Sequence, residues 1–375
     1  MTEIYLIRHT QAEGNLYHMM QGHWNGGVTA LGLREIDALA ERFKNIPVDA
    51  VYASDLYRAR KTASAVTKYH PMPIISEPKL REINVGAWET EFFGDVLYRY
   101  PEKTREFMEE PGKWHVEGAE TYAMVQDRAF AALREIAERH PGESVAVVSH
   151  GVTIRCIIAK LTGADFNSPE MPPVFGNTSI SHLRFEDGKF EIVTLNDSSH
   201  LDKLDIPSWT RAPEIRSEKL DPAADYRYYT ACYADAWMVS HGTLAGFSPS
   251  LYLACAEEHS RFSGDAVLRF YCGDEPAGLL DMDMERGASE GWGWVSLLYM
   301  NEEYRGRGCG IQALARAYKA YGNLGRSAVR LHVAAGNTAA VDFYRRNGFR
   351  HISSETNSLG ELLLMERKLG VEDDV

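Results

Sequence analysis

Three short apolar runs in the first half of the chain each end on residues suited to phosphate chemistry. EIYLI, from Glu3, leads into Arg8 and His9. DAVYAS, from Asp49, ends on Ser54 and Asp55, with Arg58 just beyond. ESVAVVSHG, from Glu143, ends on His150 and Gly151. An arginine fork matches phosphoryl oxygens bidentately, and a histidine can attack phosphorus and carry the phosphoryl group transiently. Two arginines and two histidines brought to one place would therefore hold a phosphoryl group. A different feature stands in the second half. YRGRGCG, from Tyr304, follows an apolar run and precedes an amphipathic one. Small residues let the backbone approach a ligand, and a helix N-terminus offers free N–H groups suited to a pyrophosphate, although such a turn is equally a plain turn.

The elements that must position these residues alternate. In the first half, strands are expected at Glu3, Asp49 and Glu143, with helices from Thr29, over 56–69, 91–110, 119–140 and 152–160, and a hairpin turning at Asp187-Gly188. A βα alternation of this kind implies a mostly parallel sheet with helices on both faces, and ligands bind beyond the carboxyl ends of its strands. The stretch 197–221, with Pro207 and Pro213, reads as a linker with one entry strand near Ile215. Beyond it, helices are expected at 223–239, 249–259, 311–321 and 338–347, and strands at 266–272, 277–285, 292–300, 329–334 and 362–368. In DMDME, strand alternation puts Asp281, Asp283 and Glu285 on one face, which reads as a solvated face; such a row would otherwise attract a cationic amine. Trp292 and Trp294 share a face and read as core.

The chain has 375 residues, long enough for two domains with separate cores, placed at 1–205 and 206–375 and each expected to fold and act independently. Lys plus Arg is 40 against 53 Asp plus Glu, a formal charge of −13, which lacks the footprint of a nucleic-acid binder. Five cysteines with no CxxC suggest neither a metal site nor a disulfide framework, and a cytoplasmic location is expected. No signal peptide and no apolar run near the ~20 residues of a membrane span is visible.

LIRHTQAEGN, QGHWNGGVTALG, SDLYRARKTA, LREINVGAWE and SHG, in that order, resemble the histidine phosphatase superfamily, the phosphoglycerate-mutase-like proteins, over residues 1–202. The resemblance implies a three-layer α/β/α fold and a metal-independent phosphomonoester hydrolase. His9 would be the nucleophile. Arg8, Arg58 and His150 would hold the phosphoryl oxygens, and Glu82 would protonate the leaving oxygen and then activate water. Gln21 and Gly22 fall in the substrate loop; Asn15 either adds a phosphate contact or caps a turn. Thr10 and Gln11 stand where the family more often has Gly and Glu, which bears on substrate preference. The 68 positions between Glu82 and His150 favour hydrolysis over mutase chemistry. His23 and His115 read as loop or surface residues.

RGRGCG, from Arg305, and GNTAAVDFYRRNGF, from Gly336, resemble the GNAT superfamily over residues 210–369. That implies an α+β fold with a mixed sheet and acetyl-CoA as cofactor. Arg305, Gly306, Arg307, Gly308, Cys309 and Gly310 would supply the pyrophosphate site. Asn337 would touch the cofactor arm, and a backbone N–H near Leu298 would polarise the thioester. Tyr344 is either the acid that protonates the departing thiolate or a core residue. Glu302 and Glu303 read as solvated, and no base is identified. The expected partners are a small phosphate ester and a small-molecule or peptide amine, with no nucleic acid and no membrane. The leading expectation is a bifunctional enzyme. The alternatives are a phosphatase with a non-catalytic acetyl-CoA sensor, and a mutase-type first domain.

Overall fold

The computed structural model describes residues 1–205 and 212–370. These fall into two compact units, the first comprising 1–91 and 96–205, the second 212–370 together with Phe92–Asp95. Pro207, part of the expected linker, lies outside the described residues.

In the first unit the order is β1 (Thr2–Arg8), α1 (Glu13–Tyr17), α2 (Ala30–Phe43), β2 (Ala50–Ala53), α3 (Tyr57–Thr67), β3 (Ile74–Ser76), α4 (Phe93–Arg99, its first three residues counted with the second unit), α5 (Pro101–Glu109), α6 (Tyr122–Arg139), β4 (Ser144–Ser149), α7 (Gly151–Thr162), β5 (Ile180–Glu186) and β6 (Lys189–Asp197). The sheet order is β3-β2-β4-β1-β5-β6. The first four strands are parallel, and β5 and β6 close one side as an antiparallel hairpin. Asp187 and Gly188 turn that hairpin with φ of +49° and +77°, the left-handed pair that a two-residue turn requires.

Strand alternation sends side chains to two cores. Ile4, Leu6, Val145, Val147 and Leu183 pack on one face with Leu133, Ile136, Ile154 and Ile157 from α6 and α7. Ile7, Val51, Ala53 and Val148 pack on the other with Leu39, Phe43, Ala63 and Val66 from α2 and α3. The unit is thus the three-layer α/β/α arrangement. Its register fixes the chemistry: Arg8 pairs with Ser149, and Ala53 with Val148, so three strands end at one level.

The second unit contains β7 (Arg216–Lys219), α8 (Tyr226–His241), α9 (Pro249–Phe262), β8 (Val267–Cys272), β9 (Glu275–Asp283), β10 (Trp292–Met300), α10 (Cys309–Asn323), β11 (Ala328–Ala334), α11 (Thr338–Arg346), β12 (Arg350–Asn357) and β13 (Gly360–Lys368). Its mixed sheet runs β12-β13-β11-β10-β9-β8-β7, with β10 and β11 its parallel pair. Within this unit the buried Asp95 carboxylate accepts from the Ser217 N–H at 2.6 Å.

The structure departs from the sequence reading in several places. The expected helix 91–110 is two helices, because Pro101 takes the first helical position of α5 and its ring cannot continue α4. Three short elements had gone unrecognised: α1, β3 and β12. β12 is exposed on both faces, so it carries no apolar alternation and is held by its ladder to β13. The row Asp281, Asp283 and Glu285 is not a solvated face. Asp281 is 1% exposed, Asp283 is half-buried, and Glu285 lies past the end of β9.

Gly32, inside α2, supplies a stability test. A helix-interior Gly→Ala change ordinarily stabilises by about 1 kcal/mol. Here a Cβ would run into the Gln11 backbone carbonyl and press on Val28. Gly32→Ala is therefore expected to destabilise the first unit, by about 1–3 kcal/mol. Chemical denaturation of the two proteins checks the sign, and a more stable variant contradicts the packing described.

Candidate active sites

The level strand ends of the first unit bring Arg8, His9, Arg58 and His150 into one buried cluster. His9 and His150 stand with ring centroids 5.0 Å apart. His9 Nδ1 donates to its neighbour's carbonyl, Thr10 O, at 2.6 Å, which leaves Nε2 with the free lone pair. Burial, reinforced by Arg58 and Arg8, holds the His9 imidazole well below its ordinary range. The same causes, with His9 itself added, hold His150 neutral. A neutral Nε2 is what nucleophilic attack on phosphorus requires.

The arginines are fixed by backbone carbonyls rather than by paired acids. Arg58 donates to Trp24 O at 2.9 Å, to Gly22 O at 2.9 Å and to Gln21 O at 3.3 Å. Its guanidinium is fully buried, and burial pushes it down to about 10. Arg8 donates to Phe175 O. Arg8 Nε, Arg58 Nε and both ring nitrogens of His150 are buried with no hydrogen-bond partner. Unsatisfied buried donors converging in one place are costly, and a phosphoryl group would satisfy them.

Glu82 lies across the same crevice at the start of α7. It accepts from Val152 N at 3.2 Å and Thr153 N at 3.1 Å. Gly151 lies beside both groups: a Cβ on it would lie 3.4 Å from Arg8 Nε and 3.7 Å from Glu82 Oε2, in ordinary contact. Asn15 Oδ1 caps the Ala12 N–H at 3.0 Å, a turn contact. The Gln21 side chain lies against Gly14, and Gly22 packs against Glu89. His23, read as a loop residue, sits with Nε2 at 3.0 Å from the Glu82 carbonyl. His115 is exposed.

Several supporting residues escaped the sequence reading. Buried Glu35 accepts from Gln11 N at 2.7 Å and from Thr10 Oγ1 at 2.8 Å, and so pins the turn after His9. Thr10 is thereby a structural pin. Glu89 accepts from His23 N at 2.7 Å and Trp24 N at 3.1 Å, shaping the loop that holds Arg58. Arg128 reaches the carbonyls of Lys79, Arg81 and Glu82. Glu35 had a signal: it interrupts the buried stripe of Leu31 and Leu39 at helical spacing.

In the second unit, β10 and β11 pair only from Trp292↔Ala328 to Val295↔Leu331, although both strands continue. They part beyond that point. On its other side β10 carries a bulge between Val295 and Leu297, and Leu298 lies just after it, opposite Leu280. Past Met300 the chain turns into α10. Gly306 and Gly308 have φ of +69° and +82°, and Gly308 is the N-cap, with no side chain capping the helix. The N-cap itself therefore supplies no side-chain acceptor to the first N–H groups of α10. The Arg305 side chain is held by Met300 O at 2.8 Å and Asp235 at 2.7 Å, and Arg307 reaches Glu303 O at 3.3 Å. Cys309 buries its thiol, and Gly310 lies against Phe343. Glu302 and Glu303 are exposed. Asn337 caps α11 through Ala340 N at 3.2 Å and donates to Ser240 Oγ at 3.3 Å. Tyr344 is buried between Phe343 and Phe349, at 5.3 Å from each, and burial raises its hydroxyl.

The first cluster carries a pH signature in stability. His9, His150 and His200 are held below the ordinary imidazole value, the last at about 4. Below pH 6.5 the unfolded chain binds protons that the folded chain refuses, so stability rises with pH across that window and falls as pH drops through it. The loss is on the order of 1 kcal/mol per pH unit for each such histidine. Denaturation of the first unit between pH 7.5 and 5 checks this; a curve flat over that range contradicts it.

Comparison with known proteins identifies a family for each unit. Over 203 residues the chain is 31% identical to phosphoserine phosphatase 1 of Hydrogenobacter thermophilus, covering 54% of this chain and 95% of that protein. Over 208 residues it is 32% identical to a metal-independent phosphoserine phosphatase of Arabidopsis thaliana, covering 54% and 85%. The solved structure of Bacillus stearothermophilus YhfR superposes with a TM-score of 0.52 at 29% identity, covering 54% of this chain and all of that one. Residues 222–349 match the acetyltransferase (GNAT) family, so the second unit is a GNAT domain. Residues 4–198, over half of the chain, match the histidine phosphatase superfamily (branch 1), and the chain belongs to that superfamily.

Proposed function

We propose that the chain is a bifunctional enzyme: a metal-independent phosphomonoester hydrolase working through phosphohistidine, joined to an acetyl-CoA-dependent N-acetyltransferase. The observation that carries the first activity is the neutral His9 beside unsatisfied donors of Arg8, Arg58 and His150. In the first step His9 Nε2 attacks phosphorus, the arginines and His150 spread the developing charge, and Glu82 protonates the leaving oxygen. In the second, Glu82 takes a proton from water, which attacks the phosphohistidine and releases inorganic phosphate. The two relatives named phosphoserine phosphatases make phosphoserine the first ester to test.

Acetyl-CoA would be held by the Gly306–Gly310 turn and the start of α10, with its thioester entering where β10 and β11 part. A small primary amine is the proposed acceptor, and a cytoplasmic location and no nucleic-acid partner are part of the same reading.

His9→Ala should abolish phosphate release, and Glu82→Gln should slow it by roughly 10²–10⁴-fold, less for esters with good leaving groups. Acid-labile phosphate trapped on another residue would overturn the assignment. Turnover should persist in chelator, and activity that returns only with added metal contradicts a site built from side-chain cations. In the second unit, Gly308→Val forces a β-branched residue to φ of +82° at the pyrophosphate turn. Acetyl-CoA affinity should fall at least tenfold by calorimetry while circular dichroism shows the domain folded. Unchanged affinity removes the pyrophosphate assignment.

A further inference from the structure

The acetyl transfer proposed above needs a proton acceptor, and a buried polar cluster between α8, α9 and β9 has the parts. Asp281 sits in the buried part of β9, flanked by the fully buried Leu279, Leu280 and Met282. An ionised side chain there is expensive unless it is fully hydrogen-bonded. Its two oxygens are taken by different elements. Tyr229 Oη of α8 donates to Oδ2 at 2.7 Å, and His259 Nδ1 of α9 donates to Oδ1 at 2.7 Å. The bond to Asp281 fixes the imidazole and its tautomer, which leaves Nε2 with the lone pair. Nε2 faces Asp283 Oδ2 at 3.6 Å, too long for a direct hydrogen bond. Asp283 is half-buried, and its Oδ1 is already used by the N–H groups of Glu285 and Arg286.

The position in the sheet matters as much as the contacts. Asp281 pairs with Leu297, the residue after the β10 bulge, where β10 has already lost β11. The cluster therefore stands one strand away from the opening that admits the thioester, on the face that carries α8 and α9. Trp294 lies on that face too, since its neighbour Gly293 packs against Tyr321 of α10 on the other.

Resting on the transferase reading, we propose that His259 and Asp283 form the acceptor site of the second unit, for a primary amine that arrives as an ammonium ion. Asp283 Oδ2 holds the ammonium, and His259 Nε2 takes its proton. Asp281, with Tyr229, positions His259. The freed amine attacks the thioester carbonyl, forming the C–N bond as the C–S bond breaks. The remaining surplus proton on nitrogen passes to the departing thiolate, giving amide and CoA thiol. His259 returns its proton to solvent. The balance is one ammonium and one thioester in, and one amide, one thiol and one proton out.

The groups around His259 define its pH behaviour. Asp281 and Asp283 face it from β9, Tyr229 and Tyr233 stand on α8, and Cys255 and Glu258 lie on its own helix. Burial pulls the imidazole down, but the hydrogen bond to Asp281 and the charges of Asp281 and Asp283 outweigh it, so the group is raised. The base form is thus gained above the ordinary imidazole range.

The test uses the full chain, acetyl-CoA and four probe amines: ethanolamine, putrescine, glucosamine and lysine methyl ester. Amine-dependent CoA release should rise with pH along a limb lying above pH 6.5. His259→Gln should remove that limb and lower kcat by roughly 10²–10⁴-fold, with acetyl-CoA affinity unchanged. Asp281→Asn should move the limb to lower pH, because the negative charge that raises His259 is gone. Asp283→Asn should mainly raise the amine KM. A His259→Gln enzyme that keeps its rate and limb overturns the proposal, as does loss of the limb instead on His332→Gln, His332 of β11 being the imidazole edge-on to Trp294 at 4.9 Å. A second readout needs no turnover. With CoA bound, the same amines should shift the His259 ring resonances in the wild type and not in Asp283→Asn. Resonance shifts without acetyl transfer would keep the binding site and sink the transferase reading; transfer without shifts would do the reverse.

Discussion

The first unit is organised around an electrostatic problem: two guanidinium groups and two imidazoles share one buried crevice. Four cations packed together would repel one another, and the structure removes two of the charges by burial. His9 and His150 stay neutral because they are desolvated beside Arg58 and Arg8. The two arginines remain charged, with Glu82 the nearby anion that favours them. Backbone carbonyls of the 21–24 loop and of Phe175 then fix their orientation without neutralising them. The positive charge is left for a ligand. Glu89, Glu35 and Arg128 act one layer out, each accepting from or donating to the loops that present the cluster.

The second unit depends on an interruption in its sheet. Parallel pairing between β10 and β11 stops at Val295↔Leu331, and the opposite edge of β10 bulges at the same level. A bulge increases the local twist, which separates the strand from its parallel neighbour without breaking its ladder to β9. The buried carboxylate of Asp281 lies beside that level. Its position also explains an expectation that failed. Alternation alone placed Asp281, Asp283 and Glu285 on one face, correctly for the first two, but could not tell which face is covered. α8 and α9 cover it, and their Tyr229 and His259 turn a solvated row into a buried, fully bonded group.

What was legible followed from local signals. Arg8, Arg58, Glu82 and His150 lie in ordered motifs, and apolar strands lead straight into three of those motifs. The edge strand β12 was illegible because it buries nothing, and β3 because three residues hold no period. The break between α4 and α5 was marked by Pro101, whose meaning depends on whether the helix starts or continues there. Glu35 was marked by its place in a buried helical stripe, whereas Glu89 and Arg128 were missed for a common reason. Their partners are backbone groups of distant loops, and no spacing in the sequence encodes which loop will fold against which helix.

The chain's formal charge of −13 and the phosphate-binding role proposed for its crevice are compatible because they act over different distances. Exposed charges are screened beyond a Debye length of about 8 Å at physiological ionic strength. An anionic ester near the surface therefore meets little of the net charge. Inside the crevice, Arg8 and Arg58 are buried in low dielectric, where a contact to the proposed phosphoryl group would be several times stronger than at the surface. The acidic exterior still has an effect on selection. Under the proposed reading, a polyanion would lie along many exposed carboxylates at once, whereas a single phosphoryl group would only pass them to enter. The proposed cationic amine would be screened from the distant charges in the same way, so only carboxylates within a Debye length of the second site, Asp283 among them, would draw it in.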